Sequence, residues 1–174
     1  SVFRLVKQLM ENEGLVKLSG VGSSKGGRPP VIYEFNGSEK FIIGIDVGAT
    51  YIRAVVANLK AEILYEVQLL TEKEKGYNSV ISKLTDLIKR LLNRQDTNSG
   101  NIIGIGIGVA GLIDKNKKRI NFSPDFKWEN VDFHGDLAKE FNIPVYLDNS
   151  TRLMALGELG YGIGKNCDNF IVIN

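Results

Sequence analysis

Residues 41–56, FIIGIDVGATYIRAVV, constrain the fold more than any other stretch of the chain. Two runs rich in Ile, Val and Ala flank the break Asp46-Val47-Gly48-Ala49-Thr50. Alternating, β-branched runs joined by so short a break predict two strands with Gly48 in the tight turn between them. A turn of this kind has chemical use. Small residues let the backbone approach a ligand closely, and N–H groups with the Thr50 hydroxyl can donate to phosphate oxygens. Asp46, at the end of the first run, can hold a water or Mg²⁺. Taken alone, the same pattern equally describes a hairpin turn that binds nothing.

The flanking segments supply the rest of a domain. Residues 63–70 read as a third strand, and the short connections predict that all three run antiparallel. Residues 78–93 put Val80, Ile81, Leu84, Leu87, Ile88, Leu91 and Leu92 on one helical stripe, with Lys83, Asp86, Lys89 and Arg90 facing out. Residues 95–101 form a polar loop. Residues 102–109 alternate Ile and Gly, as a strand buried on both faces with close neighbours does. Residues 110–133 show no period and read as irregular. A short helix at 134–141, a short strand at 145–147, a helix at 150–160 and a strand at 170–173 complete the pattern. The sum is an α/β domain with a mixed sheet.

Upstream, Val2, Leu5, Val6, Leu9 and Met10 mark one face of an amphipathic helix over residues 1–13, stopped by Gly14. Residues 15–18 and 31–35 read as strands around a loop rich in Gly, Ser and Pro that carries Lys25 and Arg28. Gly37-Ser38 reads as a short linker. Ser1 opens directly on the helical pattern, and the strand at 170–173 has no following partner. The chain is therefore expected to be a piece of a longer protein.

With 174 residues, 43% of them hydrophobic, the chain has material for a real core and for one domain plus something smaller. A net charge of +2 gives no global preference for nucleic acid or membrane. The single Cys167 excludes an internal disulfide, and with the single His134 it is too little for a zinc site, so no metal is expected here. No apolar run is long enough to cross a bilayer and no signal peptide pattern opens the chain, which points to the cytoplasm.

Four stretches together resemble one family, the ROK proteins (repressors, open reading frames and kinases). Asp46, Gly48 and Thr50 match its first phosphate motif. Gly108-Val109-Ala110-Gly111-Leu112-Ile113-Asp114 resembles its G-x-P-G-x-x-D stretch, with Ala110 where Pro is usual. Ser123-Pro124-Asp125-Phe126 followed by Trp128 resembles its S-P-N-L…W sugar loop, with Asp125 for Asn. Asp148-Asn149-Ser150 through Ala155-Leu156-Gly157-Glu158 resembles its E-N-D-A-N…A-L-G-E segment. The matches run in family order, which makes them specific as a set.

The resemblance implies an actin-like, ribonuclease H-like N-terminal lobe over residues 38–160 and the start of a truncated second lobe over 161–174. It also implies that residues 1–37 are a partial winged helix-turn-helix, a recognition helix and wing, as in the branch resembling xylose-operon repressors. Arg4, Lys7, Lys25 and Arg28 would then contact operator DNA, although two basic loop residues also suit a solvated turn. Gly111, Asp125, Asn149 and Ser150 would face a sugar effector; Asn149 and Ser150 could equally be helix caps. Asp46, Gly48 and Thr50 would form an ATP and Mg²⁺ site, vestigial or working. The family's structural zinc site would lie beyond Asn174. The departure with most chemical weight is Ser150, which stands where the family's kinases keep the Asp that deprotonates the sugar hydroxyl. Losing a general base costs about 10²–10⁴-fold in rate. The implied function is a sugar-responsive repressor that acts as a homodimer or larger homo-oligomer; the alternative is an ATP-dependent kinase of hexoses or N-acetyl-amino-sugars.

Overall fold

The computed structural model describes residues 1–24, 26–94, 101–114 and 116–173. Lys25 and nearly all of the expected polar loop at 95–101 lie outside these. β3 (Phe41–Val47), β4 (Tyr51–Asn58) and β5 (Ile63–Leu70) form an antiparallel meander, as their short connections require. β6 (Ile102–Val109) pairs parallel with β3, and β10 (Val145–Asn149) parallel with β6, giving a mixed sheet in the order β10-β6-β3-β4-β5. The parallel β3–β6 pair needs a crossover, and α2 (Tyr77–Leu92) provides it.

Burial follows the strand period of two. Phe41, Ile43, Ile45 and Val47 of β3 are buried, whereas Ile42, Gly44 and Asp46 turn to the other face. Val80, Leu84, Leu87, Ile88 and Leu91 of α2 share one core with those strand residues and with Ile52, Val56, Ile105, Ile107 and Val109. Asp46 is thus held on the sheet face away from α2.

Residues 110–133 are not irregular. They contain a three-stranded antiparallel sheet of β7 (Leu112–Asp114), β8 (Arg119–Ser123) and β9 (Trp128–Val131). Its strands are short, and the connecting turns use Lys118 (φ 53°) and Lys127 (φ 55°) in left-handed backbone where glycine would have signalled a turn. Trp128 anchors the unit, stacked on Phe126 at 4.2 Å between ring centroids and edge-on to Tyr77 at 5.2 Å. Tyr77 Oη donates to Asp136 Oδ2 at 2.8 Å, pinning α2 to α3 (Phe133–Ala138). α3 starts one residue earlier than expected, where Asp132 caps it by accepting from the Gly135 N–H, and it ends three residues earlier, at Ala138. α4 (Ser150–Tyr161) follows β10 without a loop. The expected strand at 170–173 does not form: no strand pairs with it among the described residues, and Ile171 and Ile173 are 87% and 91% exposed.

At the other end, α1 (Val2–Glu11) leads into an antiparallel ribbon of β1 (Val16–Val21) and β2 (Val31–Phe35). The helix ends at the cap Asn12, and Gly14 (φ 63°) turns the chain two residues later. One helix and one ribbon do not by themselves make a winged helix-turn-helix. The segment at Gly37-Ser38 is held on the sheet, since the Leu59 N–H donates to Gly37 O at 2.9 Å and Lys40 O at 3.2 Å. No helix among the described residues is long and apolar enough to cross a membrane.

Candidate functional site

The carboxyl ends of parallel strands are where open α/β sheets place ligands. Here those ends belong to β3, β6 and β10. The register sets Asp148 beside Gly108, Gly108 beside Asp46, Asp46 beside Arg53, and Arg53 beside Gln68, so one row crosses the sheet. Two carboxylates therefore flank a residue without a side chain. Arg53 Nη1 lies 3.8 Å from Asp46 Oδ2, and its Nε donates to Gln68 Oε1 at 3.0 Å. This guanidinium, on the same row as Asp46, gave no signal in the motif.

The turn at residues 48–50 is tight and tied from one side. Gly48 N–H donates to Tyr51 O at 3.0 Å, and a β-carbon on Gly48 would meet that same oxygen at 3.0 Å. Thr71, fully buried, donates its N–H to Thr50 O at 2.9 Å and its Oγ1 to Gly48 O at 2.7 Å. Thr71 follows β5 directly and was not singled out from the sequence, because one threonine at a strand end carries no pattern. The turn offers one carboxylate, one hydroxyl and backbone groups, a donor set suited to phosphate oxygens and a hydrated Mg²⁺ rather than a cage for bare metal. Among the described residues no three His, Cys, Asp or Glu side chains cluster as metal ligands.

Across the row, three loops converge. Ser123 Oγ donates to Ala110 O at 2.6 Å, and Asn149 Nδ2 donates to Gly111 O at 2.9 Å. Gly111 adopts φ 142°, and a β-carbon there would sit 2.6 Å from Phe122 O. Only glycine meets that approach. Asn149 is the N-cap of α4, with Oδ1 accepting from the Arg152 N–H at 3.1 Å. Its amide is a brace first, with one N–H left over. Ser150, expected as a cap or a sugar contact, is the first residue of α4 and 6% exposed. Its Oγ has no hydrogen-bond partner among the described residues and lies 3.4 Å from where a β-carbon of Gly108 would be. Without a base to take its proton, this hydroxyl can donate and accept hydrogen bonds but cannot act as a base at neutral pH. Asp148 Oδ1 accepts the Asn149 N–H at 2.8 Å and lies 3.7 Å from Arg152 Nε. Asp125 is exposed on the β8–β9 turn that Ser123 fastens to Ala110.

So Asp46, Gly48, Thr50, Gly111, Asn149 and Ser150 gather at one end of the sheet. The basic set sits elsewhere. Arg4 and Lys7 are exposed on α1, with Lys7 Nζ 3.8 Å from Glu11, and Arg28 is exposed in the β1–β2 loop.

Residues 42–174 match the model of the ROK family. The chain is 37% identical over 162 residues to the xylose repressor of Caldicellulosiruptor bescii, covering 93% of this chain and 40% of that protein. A glucokinase of Halalkalibacterium halodurans is 27% identical over 136 residues, covering 78% of this chain and 41% of that protein. The chain thus spans about two-fifths of the length of the curated relatives it matches. The crystal structure of a ROK family transcriptional regulator, described as a homolog of E. coli MLC protein, superposes on 97% of this chain and 42% of its own with TM-score 0.78 at 19% identity, which speaks to the fold alone. A family model matched along most of the chain, on a fold that carries the family's motifs at one sheet end, makes this chain a member of the ROK family.

Proposed function

We propose that this chain is the head and sensor lobe of a sugar-responsive transcriptional repressor of carbohydrate-utilisation genes, with xylose as its leading effector. The observation that carries the reading is Ser150, a buried hydroxyl without a base partner where a kinase of the family needs a carboxylate. Support comes from the extent of the likenesses: the xylose repressor aligns over 93% of the chain, the glucokinase over 78%.

In this reading residues 1–37 belong to a winged helix-turn-helix, residues 38–160 form the actin-like lobe and residues 161–174 begin a second. α1 enters the major groove with Arg4 and Lys7 toward phosphates, and the β1–β2 ribbon is the wing carrying Lys25 and Arg28. The protein works as a homodimer on operator DNA in the cytoplasm. Sugar hydroxyls meet Ser150, the spare Asn149 N–H, Asp125 and the backbone at Gly111. Buried polar groups of this kind discriminate strongly, because a ligand lacking a hydroxyl leaves them unpaired. Sugar binding weakens DNA binding only if it favours one arrangement of the protein over another.

The test uses the full-length protein. Operator binding, followed by fluorescence anisotropy, should be salt-sensitive and should weaken with xylose but less with glucose or N-acetylglucosamine. A coupled assay should show no sugar phosphorylation. Robust ATP-dependent turnover with Ser150 in place overturns the reading. One observation favours the kinase alternative: the turn at residues 48–50, with Asp46, stays braced by Thr71 as a phosphate site would need. Turnover that appears only in Ser150→Asp marks a lost enzyme and keeps the repressor.

A further inference from the structure

At the joint between the head and the sensor lobe lies a buried side chain, Asn36. Asn36 is 7% exposed and sits where β2 ends. Its N–H donates to Leu15 O at 2.8 Å, and its Nδ2 donates to Gly14 O at 3.1 Å and Glu39 Oε2 at 3.3 Å. Gly14 and Leu15 form the turn between α1 and β1, so one residue grips the head. The next residues grip the lobe, because Gly37 O and Lys40 O both accept from Leu59 at the β4–β5 turn. Asn36 Oδ1 accepts nothing among the described residues, so the grip is half satisfied and less costly to break than a complete one.

Beside this pin lies an open cleft of about 400 Å³. Asn12, Glu13 and Leu15 line its head side, and Ile102, Ile103 and Pro144 line its sheet side. Ile102 begins β6, and Pro144 immediately precedes β10. The far ends of these same two strands carry Gly108, Asn149 and, directly after, Ser150. Pro144 O accepts from Ile105 N at 2.9 Å, so the two strands are tied together at the cleft end as well. β6 is eight residues long, a rod of about 26 Å at about 3.3 Å per residue.

We infer that Asn36 is the pivot on which the head rocks, and that β6 and β10 carry ligand occupancy at Ser150 to the cleft beside it. This rests on the repressor reading above. A shift of the two strands along their axes changes the floor of the cleft, and the head turn follows about the Asn36 grip. Small displacements become a switch when a packed joint has two arrangements.

The experiment measures operator affinity of the full-length protein with and without saturating xylose, alongside xylose affinity by calorimetry. Wild type should lose operator affinity by about 5–150-fold when xylose is bound, the ordinary range of such coupling. In Asn36→Ala that ratio should fall below about 2-fold, with xylose affinity and unliganded operator affinity kept. Glu39→Ala removes one acceptor from the exposed side of the pin and should lower the ratio in part; it decides the matter if Asn36→Ala does not fold. A wild type that ignores xylose sinks the repressor reading itself. A wild type that responds, with both variants responding equally, overturns the pivot alone, as does loss of operator binding without xylose by an Asn36→Ala that folds.

Discussion

Gly111→Ala should be the most damaging small substitution in the candidate site. Gly111 has φ 142°, a conformation that costs an L-residue about 1–3 kcal/mol. The added β-carbon would meet Phe122 O at 2.6 Å, Ser123 Cβ at 3.0 Å and Ser123 Cα at 3.1 Å. All three atoms belong to β8, so no side-chain rotation relieves the contact. Moving β8 away strains the Ser123 Oγ bond to Ala110 O, and moving Gly111 strains the Asn149 Nδ2 bond to Gly111 O. Each bond lost adds about 1 kcal/mol. The total is about 3–5 kcal/mol, which lowers Tm. Ser123→Ala removes one hydrogen bond and should cost about 1–2 kcal/mol. Thermal unfolding of both variants in the full-length protein checks the order. If Gly111→Ala costs less than Ser123→Ala, the three-loop junction is soft and does not hold the candidate site rigid.

Other consequences follow from named contacts. Thr71→Val keeps the shape of a fully buried side chain but leaves Gly48 O without its hydroxyl donor; Tm should fall by the equivalent of about 1–2 kcal/mol, and no fall would mean the turn is held by its own backbone. Hydrogen bonds from Lys75 and Lys83 hold the Glu72 carboxyl at a pKa of about 2, below its ordinary 4.5. Stability from this pairing is present above pH 4.5 and lost as pH falls toward 2, so Glu72→Gln should flatten the acid limb of a Tm–pH profile over that window. An unchanged limb assigns the acid sensitivity to other groups. Arg4→Ala and Arg28→Ala should each weaken operator binding and lower the salt slope by about 1; unaltered affinity in both removes the head from the DNA.

The parts of the fold read from the sequence are those with a period. The β3–β4–β5 meander and α2 announce themselves through alternation and a continuous apolar stripe, and the bounds of β5 and α2 agree with the expected ones to within one residue. The β7–β8–β9 sheet has strands of three, five and four residues, too short to display a period, and lysines occupy its left-handed turn positions. The apolar run at 170–173 has the composition of a strand without a neighbour to pair with, and composition alone does not make a ladder. The site divides the same way. Its glycines and Asp46 belong to motifs, so they were found. Thr71, Arg53 and Asn36 each have a hydrogen-bond partner 15 to 23 positions away in the chain, which no local pattern encodes.

Shape and chemistry are separable in this site. The turn at residues 48–50 is set by Thr71, the loop after β6 by Ser123 and Asn149, and the start of α4 by the Asn149 cap. None of these bonds involves the side chain of residue 150. Exchanging a carboxylate for a hydroxyl there removes the proton acceptor and leaves every brace in place, which is how one scaffold can host a catalyst in one protein and a receptor in another. The exchange also changes what a ligand gains. A buried hydroxyl without a partner among the described residues carries a cost of about 1–3 kcal/mol, which a ligand hydroxyl bound there would recover. An ionised carboxylate beside Asp148 would instead add like charge to the row that already holds Asp46. Under the proposed repressor reading, Ser150 would favour retention of a neutral sugar over its deprotonation, and a sensor needs the first of these alone.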